Sequence, residues 1–407
     1  MEIREINTKN KTLSFLLQPK IVLITWILVA VIFAIQGLIT FRYNNYLIFK
    51  YCFPHLIHQL PLYVHYPAEY GDVSHYGPVF SILIAPFYFL PDWIGLPAWD
   101  IVNALVLWWA ILCLPLNKQT QAFFGWLALP VLIASTLSEQ FNPIAGAFII
   151  FSFVLIRKDK PAWSALLIVL GTLIKLYGIV GLAFFFFTKK KRLFVSYLFL
   201  WLAILFILPV AFSSMHYVLR SYQDWFHVLI AKNAVNTSLF TSQDVSVMGF
   251  TRRLFSDPAI PDFPFLIMAV ILFATAYLHN KKFFDRDFQL AVLAAVLIAP
   301  VILSTSSEDV TYIIAVTGAG IWLLMSRNGW YRNFVLALLL FVMMIPLWTM
   351  LPERILDLYP VIRSIKAVPY TLIWLGILYG IHRVPNEKRL PVTDKKVIVR
   401  KVYQHIH

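Results

Sequence analysis

Runs of apolar residues, separated by short polar connections, recur along most of the chain. The runs lie at about residues 21–40, 77–93, 98–115, 121–137, 143–157, 162–187, 193–212, 263–279, 288–304, 310–326, 332–350 and 368–382. Several have the 17–25 residues that a helix needs to cross about 30 Å of hydrocarbon. We therefore predict an all-α protein, a transmembrane helix bundle of about 12 segments. The adjacent runs 121–137 and 143–157 are short, so a pair of helices that dips into the membrane is an alternative to two full spans.

Two connections are far longer than the others, at about residues 41–76 and 213–262. Both are rich in Tyr, Phe and His, and the second also contains Trp225. Connections of this length are uncommon unless they are functional or disordered, and aromatic amphipathic segments favour a membrane surface. We expect both to carry interfacial helices and to hold the functional residues. No internal repeat is visible, which weighs against a transporter built from two similar halves.

The basic residues predict the orientation of the bundle. Lys and Arg cluster before the first run, at residues 189–192, at 281–286 and after residue 382. Because short cytoplasmic loops are enriched in these residues, both termini should be cytoplasmic and the two long connections external. Residues 1–382 then form one transmembrane domain and 383–407 a basic cytoplasmic tail, in a cell membrane such as a bacterial inner membrane. The basic stretch 157–160 falls outside in this topology and is its weakest point.

Composition supports lipid as the main solvent. The chain is 60% hydrophobic and 13% charged, whereas a soluble domain is about 45–50% apolar and about 25% charged. The net charge of +14 comes from short clusters between apolar runs, which indicates topology rather than nucleic-acid binding. Cys52 and Cys113 have no metal-type spacing. They are expected toward the external side, as free thiols or, alternatively, as a disulfide.

The first long connection carries a series of aromatic and polar motifs. They are Arg42-Tyr43-Asn44-Asn45-Tyr46, Leu62-Tyr63, Tyr76-Gly77-Pro78-Val79-Phe80 and Ala85-Pro86. Their order resembles the polytopic glycosyltransferases of the C-type (GT-C) fold, in particular glycosyltransferase family 87. The resemblance implies that a sugar, such as mannose, is transferred from a polyprenyl-phosphate donor.

Three later motifs extend the resemblance over most of the chain. They are Glu139-Gln140-Phe141-Asn142-Pro143, Leu173-Ile174-Lys175-Leu176-Tyr177 and Ser246-Val247-Met248-Gly249. The first is similar to the family's Gln-x-Asn element, which implies a substrate role for Gln140 and Asn142. The family would also place a key Asp near the first run. This sequence has Asn44 and Asn45 there, and both are kept as binding candidates.

Transfer of a sugar from a lipid phosphate requires a carboxylate that takes the proton of the acceptor hydroxyl. Glu69 and Asp72 are the two carboxylates of the first long connection, and both lie just ahead of the second run. We rank Asp72 first and Glu69 second as the catalytic base. A solvated loop face or an Asp turn is the alternative for each. Glu139, Glu308 and Asp309 are next in line, either as cavity residues or as parts of solvated turns.

The leaving phosphate requires cationic or hydrogen-bonding groups. Lys175 lies near the middle of the run 162–187, where an unpaired ammonium costs at least about 2.5–3.5 kcal/mol. It should therefore face a polar cavity or a partner, unless it snorkels or forms a structural ion pair. Arg42 and Arg252 are external cations that could hold phosphate or anchor the chain to the membrane, and Lys232 and Arg253 share these alternatives.

Metal and nucleotide-sugar sites are weakly indicated. The spacing of His55, His58, His65 and His75 matches no ligand motif, so no metal or cofactor is expected. Asp285-Arg286-Asp287 resembles the Asp-x-Asp motif that holds a metal and a nucleotide sugar. It lies in a short turn without a surrounding soluble domain, however, so a lipid-linked donor is favoured over a nucleotide sugar. The expected partners are this donor, a glycan or glycolipid acceptor and membrane lipids. The competing classes are a multi-pass transporter and a lipid-linked glycan polymerase or ligase.

Overall fold

The structure, a computed structural model, describes residues 2–344 and 351–383. The end of the apolar run 332–350 and the basic tail beyond residue 383 lie outside the described residues. Within these residues the regular structure is entirely helical, which confirms the predicted all-α class.

The α-helices begin and end as follows: α1 Lys11–Leu16, α2 Pro19–Thr40, α3 Asn44–Ile57, α4 Phe80–Tyr88, α5 Asp92–Leu112, α6 Lys118–Thr136, α7 Asn142–Arg157, α8 Pro161–Lys175, α9 Lys191–Ile207, α10 Met215–Asn236, α11 Val247–Phe255, α12 Phe263–Ala274, α13 Arg286–Ile302, α14 Ile313–Met325, α15 Trp330–Met344, α16 Glu353–Leu358 and α17 Ala367–His382. Short 3-10 helices lie at Tyr177–Phe187, Leu208–Phe212, Thr275–Leu278, Asn280–Lys282, Asp309–Tyr312 and Pro360–Ser364. By length and composition, three described helices can cross a membrane: Pro19–Thr40, Asp92–Leu112 and Lys191–Phe212. Shorter apolar helices pack around them.

The second apolar run does not cross the bundle. Its helix α4 has only nine residues, which corresponds to about 14 Å at 1.5 Å per residue. It packs instead on α3, where the ring centroids of Phe49 and Phe80 lie 5.3 Å apart. The helix ends early because Pro91 disfavours a helical backbone at the residue before it. The prediction of a span at 77–93 is therefore wrong.

The run 162–187, in contrast, reverses direction. Helix α8 ends at Lys175, and Leu176 adopts a left-handed backbone with φ 48°. The 3-10 helix Tyr177–Phe187 then returns along α8. A Cβ at Gly178 would lie 2.6 Å from the carbonyl carbon of Gly171, so this close return requires glycine. One run thus loses a crossing and another gains one.

Contacts at the helix ends show which ends share a side of the bundle. Arg286 pairs with Glu5 at 2.8 Å, and Lys190 pairs with Asp159 at 2.6 Å. Arg157 donates to Gln289, one turn after Arg286. We call this the N-terminal side. The basic stretch 157–160 lies on this side, so its predicted position on the opposite side is wrong. With this stretch moved, the excess of Lys and Arg on the N-terminal side is larger than the predicted topology implied.

The two cysteines lie at opposite ends of the bundle. Cys113 follows α5 on the N-terminal side, where the nearby Asn117 donates to Glu5. Cys52 lies on α3 and contacts the hydroxyl of Ser74 at 3.5 Å. Both are free thiols. Their predicted shared side is wrong, because α5 runs in the opposite direction once 77–93 no longer crosses.

Candidate active site

A cavity of about 180 Å³ lies on the side opposite the N-terminus, which we call the cavity side. It is enclosed by α3, the stretch 72–76, the turn between α8 and the 3-10 helix, α10 and residues 304–308. Its polar lining includes Asn45, Asp72, His75, Gln140, Lys175 and Glu308. The structure thus brings together residues that lie more than 260 positions apart in the sequence.

Lys175 lies at the tip of the reversed run rather than in the middle of a helix. It is the last residue of α8, and its Nζ donates to Oδ1 of Asn142 at 2.6 Å. The ammonium also lies 5.5 Å from the ring centroids of both Tyr76 and Tyr177. An ammonium held by one amide and two ring faces keeps its charge toward the cavity. Lys232 of α10 brings a second ammonium to the same cavity.

Glu308 is the carboxylate that faces these cations. It precedes the 3-10 helix Asp309–Tyr312 and forms a capping box with Thr311, whose hydroxyl accepts from the Glu308 N–H at 3.1 Å. Burial raises the pKa of Glu308, and the charges of Lys175 and Lys232 oppose this rise. The cap fixes the side chain at the cavity wall.

Asp72 and Glu69, the two candidates for the base, are separated by the structure. Asp72 lines the cavity from an exposed position, and its Oδ1 accepts from the Val73 N–H at 2.7 Å. Glu69 lies off the cavity and pairs with Nε2 of His55 at 2.8 Å. Glu69 therefore holds the long connection together instead of facing the cavity.

Asn44 and Asn45 begin α3 and tie it to two other segments. Asn44 Oδ1 accepts from the Gly71 N–H at 2.7 Å, and Asn45 Nδ2 donates to the Ser138 carbonyl at 2.9 Å. Of the two, Asn45 lines the cavity. Both position the wall that carries Asp72.

The stretch 139–142 packs behind the same wall of the cavity. The backbone N–H groups at the start of α3 donate to the buried Glu139 carboxylate, and burial raises its pKa to about 8. Gln140 lines the cavity, whereas Asn142 is buried behind it and holds Lys175. Glu139 therefore lies behind the wall, and Gln140 is the member that can touch a substrate.

Arg42 and Arg252 do not line the cavity. Arg42 is exposed just beyond α2. Arg252 is buried, pairs with Asp244 at 2.7 Å and also pairs with Asp262. Its guanidinium is thus neutralised inside the second long connection. A phosphate could reach it only by breaking a buried ion pair, which is costly.

Several cavity residues were not selected for the site by the sequence analysis, and three of them contribute to its shape or charge. They are His75, Trp225 and Tyr177. Burial, together with Lys232 and Lys175, lowers the pKa of His75 to about 4, so its imidazole is neutral at pH 7. The sequence feature that could have indicated His75 as a site residue is its position directly before the motif Tyr76-Gly77-Pro78. Within residues 2–344 and 351–383, no three His, Cys, Asp or Glu side chains come together to hold a metal.

An apolar groove of about 660 Å³ adjoins the cavity. Phe199, Leu202 and Phe206 of α9 form one wall, and α10 forms the other. Trp225 lines both the groove and the cavity, and its Nε1 donates to the His75 carbonyl at 2.9 Å. The groove runs along one of the helices that can cross a membrane, so a lipid chain could enter from the bilayer.

Comparison with known proteins gives one family. The profile described as glycosyltransferase family 87 matches residues 75–346, about two thirds of the chain. The match includes the stretch 139–143 and Lys175 but begins after Asp72. No curated protein matches the sequence. The crystal structure of ArnT from Cupriavidus metallidurans in the apo state resembles this chain with a TM-score of 0.40 and 13% identity, over 83% of this chain and 71% of that chain.

Proposed function

This chain belongs to glycosyltransferase family 87, and we propose that it transfers a sugar, mannose or another hexose or pentose, from a polyprenyl-phosphate donor to a glycan or glycolipid acceptor. The family and the apolar helices make it a membrane glycosyltransferase. The observation that carries the finer proposal is the half-buried Lys175, whose ammonium is held by Asn142 and which lines a cavity that also contains Lys232, Asp72 and Glu308.

The two ammonium groups are proposed to hold the donor phosphate. Lys175 is fixed by Asn142. Lys232 is partly exposed on α10 and can approach the phosphate from the open side of the cavity. Positive charge placed where the phosphate leaves stabilises the developing negative charge. The lipid phosphate is itself a good leaving group, so the site requires no separate acid.

The base is proposed to be Asp72. It lies at the exposed rim of the cavity, where a hydrophilic acceptor enters, whereas Glu308 is half-buried beside the cations. Deprotonation of the acceptor hydroxyl by Asp72 lets that oxygen attack the anomeric carbon as the bond to phosphate breaks. Glu308 is the second candidate, because burial raises its pKa above the ordinary value of a carboxyl group and so makes the carboxylate a stronger base.

The apolar groove between α9 and α10 supports a lipid-linked donor over a soluble one. A polyprenyl chain in the groove would bring its phosphate past Trp225 to the two lysines. With the positive-inside rule, we propose that the N-terminal side is cytoplasmic and the cavity side external.

The test is sugar transfer by the purified chain from radiolabelled polyprenyl-phosphate mannose and related donors to a mixture of membrane glycolipids. We expect release of polyprenyl phosphate with a labelled product, and loss of both in Asp72→Asn. If protein-containing liposomes take up a labelled substrate without releasing polyprenyl phosphate, the transporter class replaces this proposal.

A further inference from the structure

A second cavity lies on the N-terminal side, at the opposite end of the bundle from the active site. It has a volume of about 750 Å³ and is formed by the end of α14, the start of α15 and the end of α17. Three arginines line it, namely Arg327, Arg332 and Arg383. From this cavity we infer a binding site for the phosphodiester headgroup of an anionic phospholipid.

The three guanidinium groups have no carboxylate partner among the residues that the structure describes. Arg332 donates from Nη1 to Asn328 Oδ1 at 2.5 Å, but its Nε–H is buried and has no acceptor in the described part of the chain. Arg383 lies over the Tyr379 ring at 5.4 Å. Positive charge thus converges on a cavity without a protein anion to neutralise it, which leaves donors for a phosphate.

The remainder of the cavity is suited to a lipid rather than to a soluble anion. Trp322 and Met325 of α14 and Leu375 of α17 give it a mainly apolar lining. Trp330 and Tyr379, at the adjoining helix ends, expose 78% and 62% of their surfaces. Exposed aromatic side chains at helix ends are typical of the membrane interface, where basic pockets between helices bind lipid headgroups. The acyl chains would then lie along the apolar lining, with the phosphate at the arginines.

The location separates this site from the catalytic cavity. The neighbouring His279 and His382 contact each other at 3.0 Å on the N-terminal side, whereas Lys175 lies at the other end of the bundle. The inference therefore does not depend on the proposed sugar transfer. Arg327 and Arg383 are exposed, so both can be replaced without opening a buried pair.

The test is lipid binding by the full chain in detergent, measured by native mass spectrometry and thermal unfolding. We expect phosphatidylglycerol to bind at least about tenfold more tightly than phosphatidylcholine. The double variant Arg327→Gln/Arg383→Gln should lose this preference. The matched control Lys158→Gln/Arg192→Gln removes two exposed cations on the same side, outside the cavity, and should keep it.

Equal binding of the two lipids by the unaltered chain would overturn the inference, as would an unchanged preference in Arg327→Gln/Arg383→Gln. Inorganic phosphate forms the third arm. If it stabilises the protein as strongly as phosphatidylglycerol does, the site binds free phosphate and the lipid assignment is wrong.

Discussion

Replacement of Lys175 by methionine separates a phosphate-binding lysine from a structural one. Methionine keeps the length and apolar body of the side chain and removes the charge. In the unaltered chain the ammonium is held by Asn142 and faces Glu308 across the cavity. The variant therefore leaves one amide oxygen without its donor and one carboxylate without its nearer cation.

The expected loss of affinity follows from the charges. A phosphate at about 4 Å from the ammonium gains roughly 4 kcal/mol at an effective dielectric constant of about 20. Since Lys232 remains in the cavity, we expect a net loss on the order of 2–4 kcal/mol. That corresponds to an affinity lower by about 30-fold to about 1,000-fold. The unpaired Asn142 oxygen adds a stability cost of about 1–3 kcal/mol.

The assay is equilibrium binding of a synthetic polyprenyl phosphate to purified protein, with thermal unfolding measured in parallel. Lys366→Met is the control, because Lys366 is a buried lysine that pairs with Asp309 and does not line the cavity. It should lower stability by about 3–5 kcal/mol and leave binding unchanged. Normal polyprenyl phosphate affinity in Lys175→Met would refute the phosphate role.

Three further predictions address the base, the cavity histidine and the topology. Asp72→Asn should lower the transfer rate at least about 100-fold, and Glu69→Gln, off the cavity, should lower it little; the opposite result in a kinetic assay would move the base to Glu69. The pKa of His75 falls from 6.5 to about 4 on folding, so the unfolded state binds the proton at higher pH than the folded state does. The free energy of unfolding should therefore fall by up to roughly 3 kcal/mol as pH drops from 6.5 to 4. His75→Gln should reduce this fall in pH-dependent unfolding scans, and an identical slope would contradict it. In a cysteine-free background, cysteines at the exposed Lys158 and Val235 should react with an impermeant reagent from opposite sides, and labelling from the same side would contradict the helix order.

Helix positions could be predicted closely from the sequence, because an apolar run long enough for the membrane must satisfy its backbone internally. The order of crossings could not. In an uninterrupted apolar run such as 162–187, Lys175 is the one charged residue, and nothing else marks the point where the chain reverses direction. Two sequence features could have indicated the reversal. Gly178 and Gly181 permit close packing of the returning segment on α8. The charge of the basic stretch 157–160 favours the N-terminal side for the connection before α8.

The site was partly predictable for a similar reason. Lys175 is a charge inside an apolar run, and Asp72 is one of two carboxylates ahead of the second run, so the residues themselves indicated both. Gln140 was selected through the resemblance to the family's Gln-x-Asn element. Arg252 was selected as a cation, but its buried partners Asp244 and Asp262 depend on the fold of the second long connection. Charge can be read from a sequence, whereas its neutralisation requires the neighbouring side chains.

The reversal after Lys175 also explains how a lysine persists in an apolar run. At mid-bilayer the ammonium would face lipid, at a cost of at least about 2.5–3.5 kcal/mol. At the turn it faces Asn142 and the rings of Tyr76 and Tyr177 instead. The Gly77 N–H also donates to the Ile174 carbonyl at 3.0 Å, which joins the first long connection to the end of α8. The same turn that protects the charge thus sets it against the polar wall of the cavity. A chain that ran straight through this run would have neither the stable ammonium nor the site.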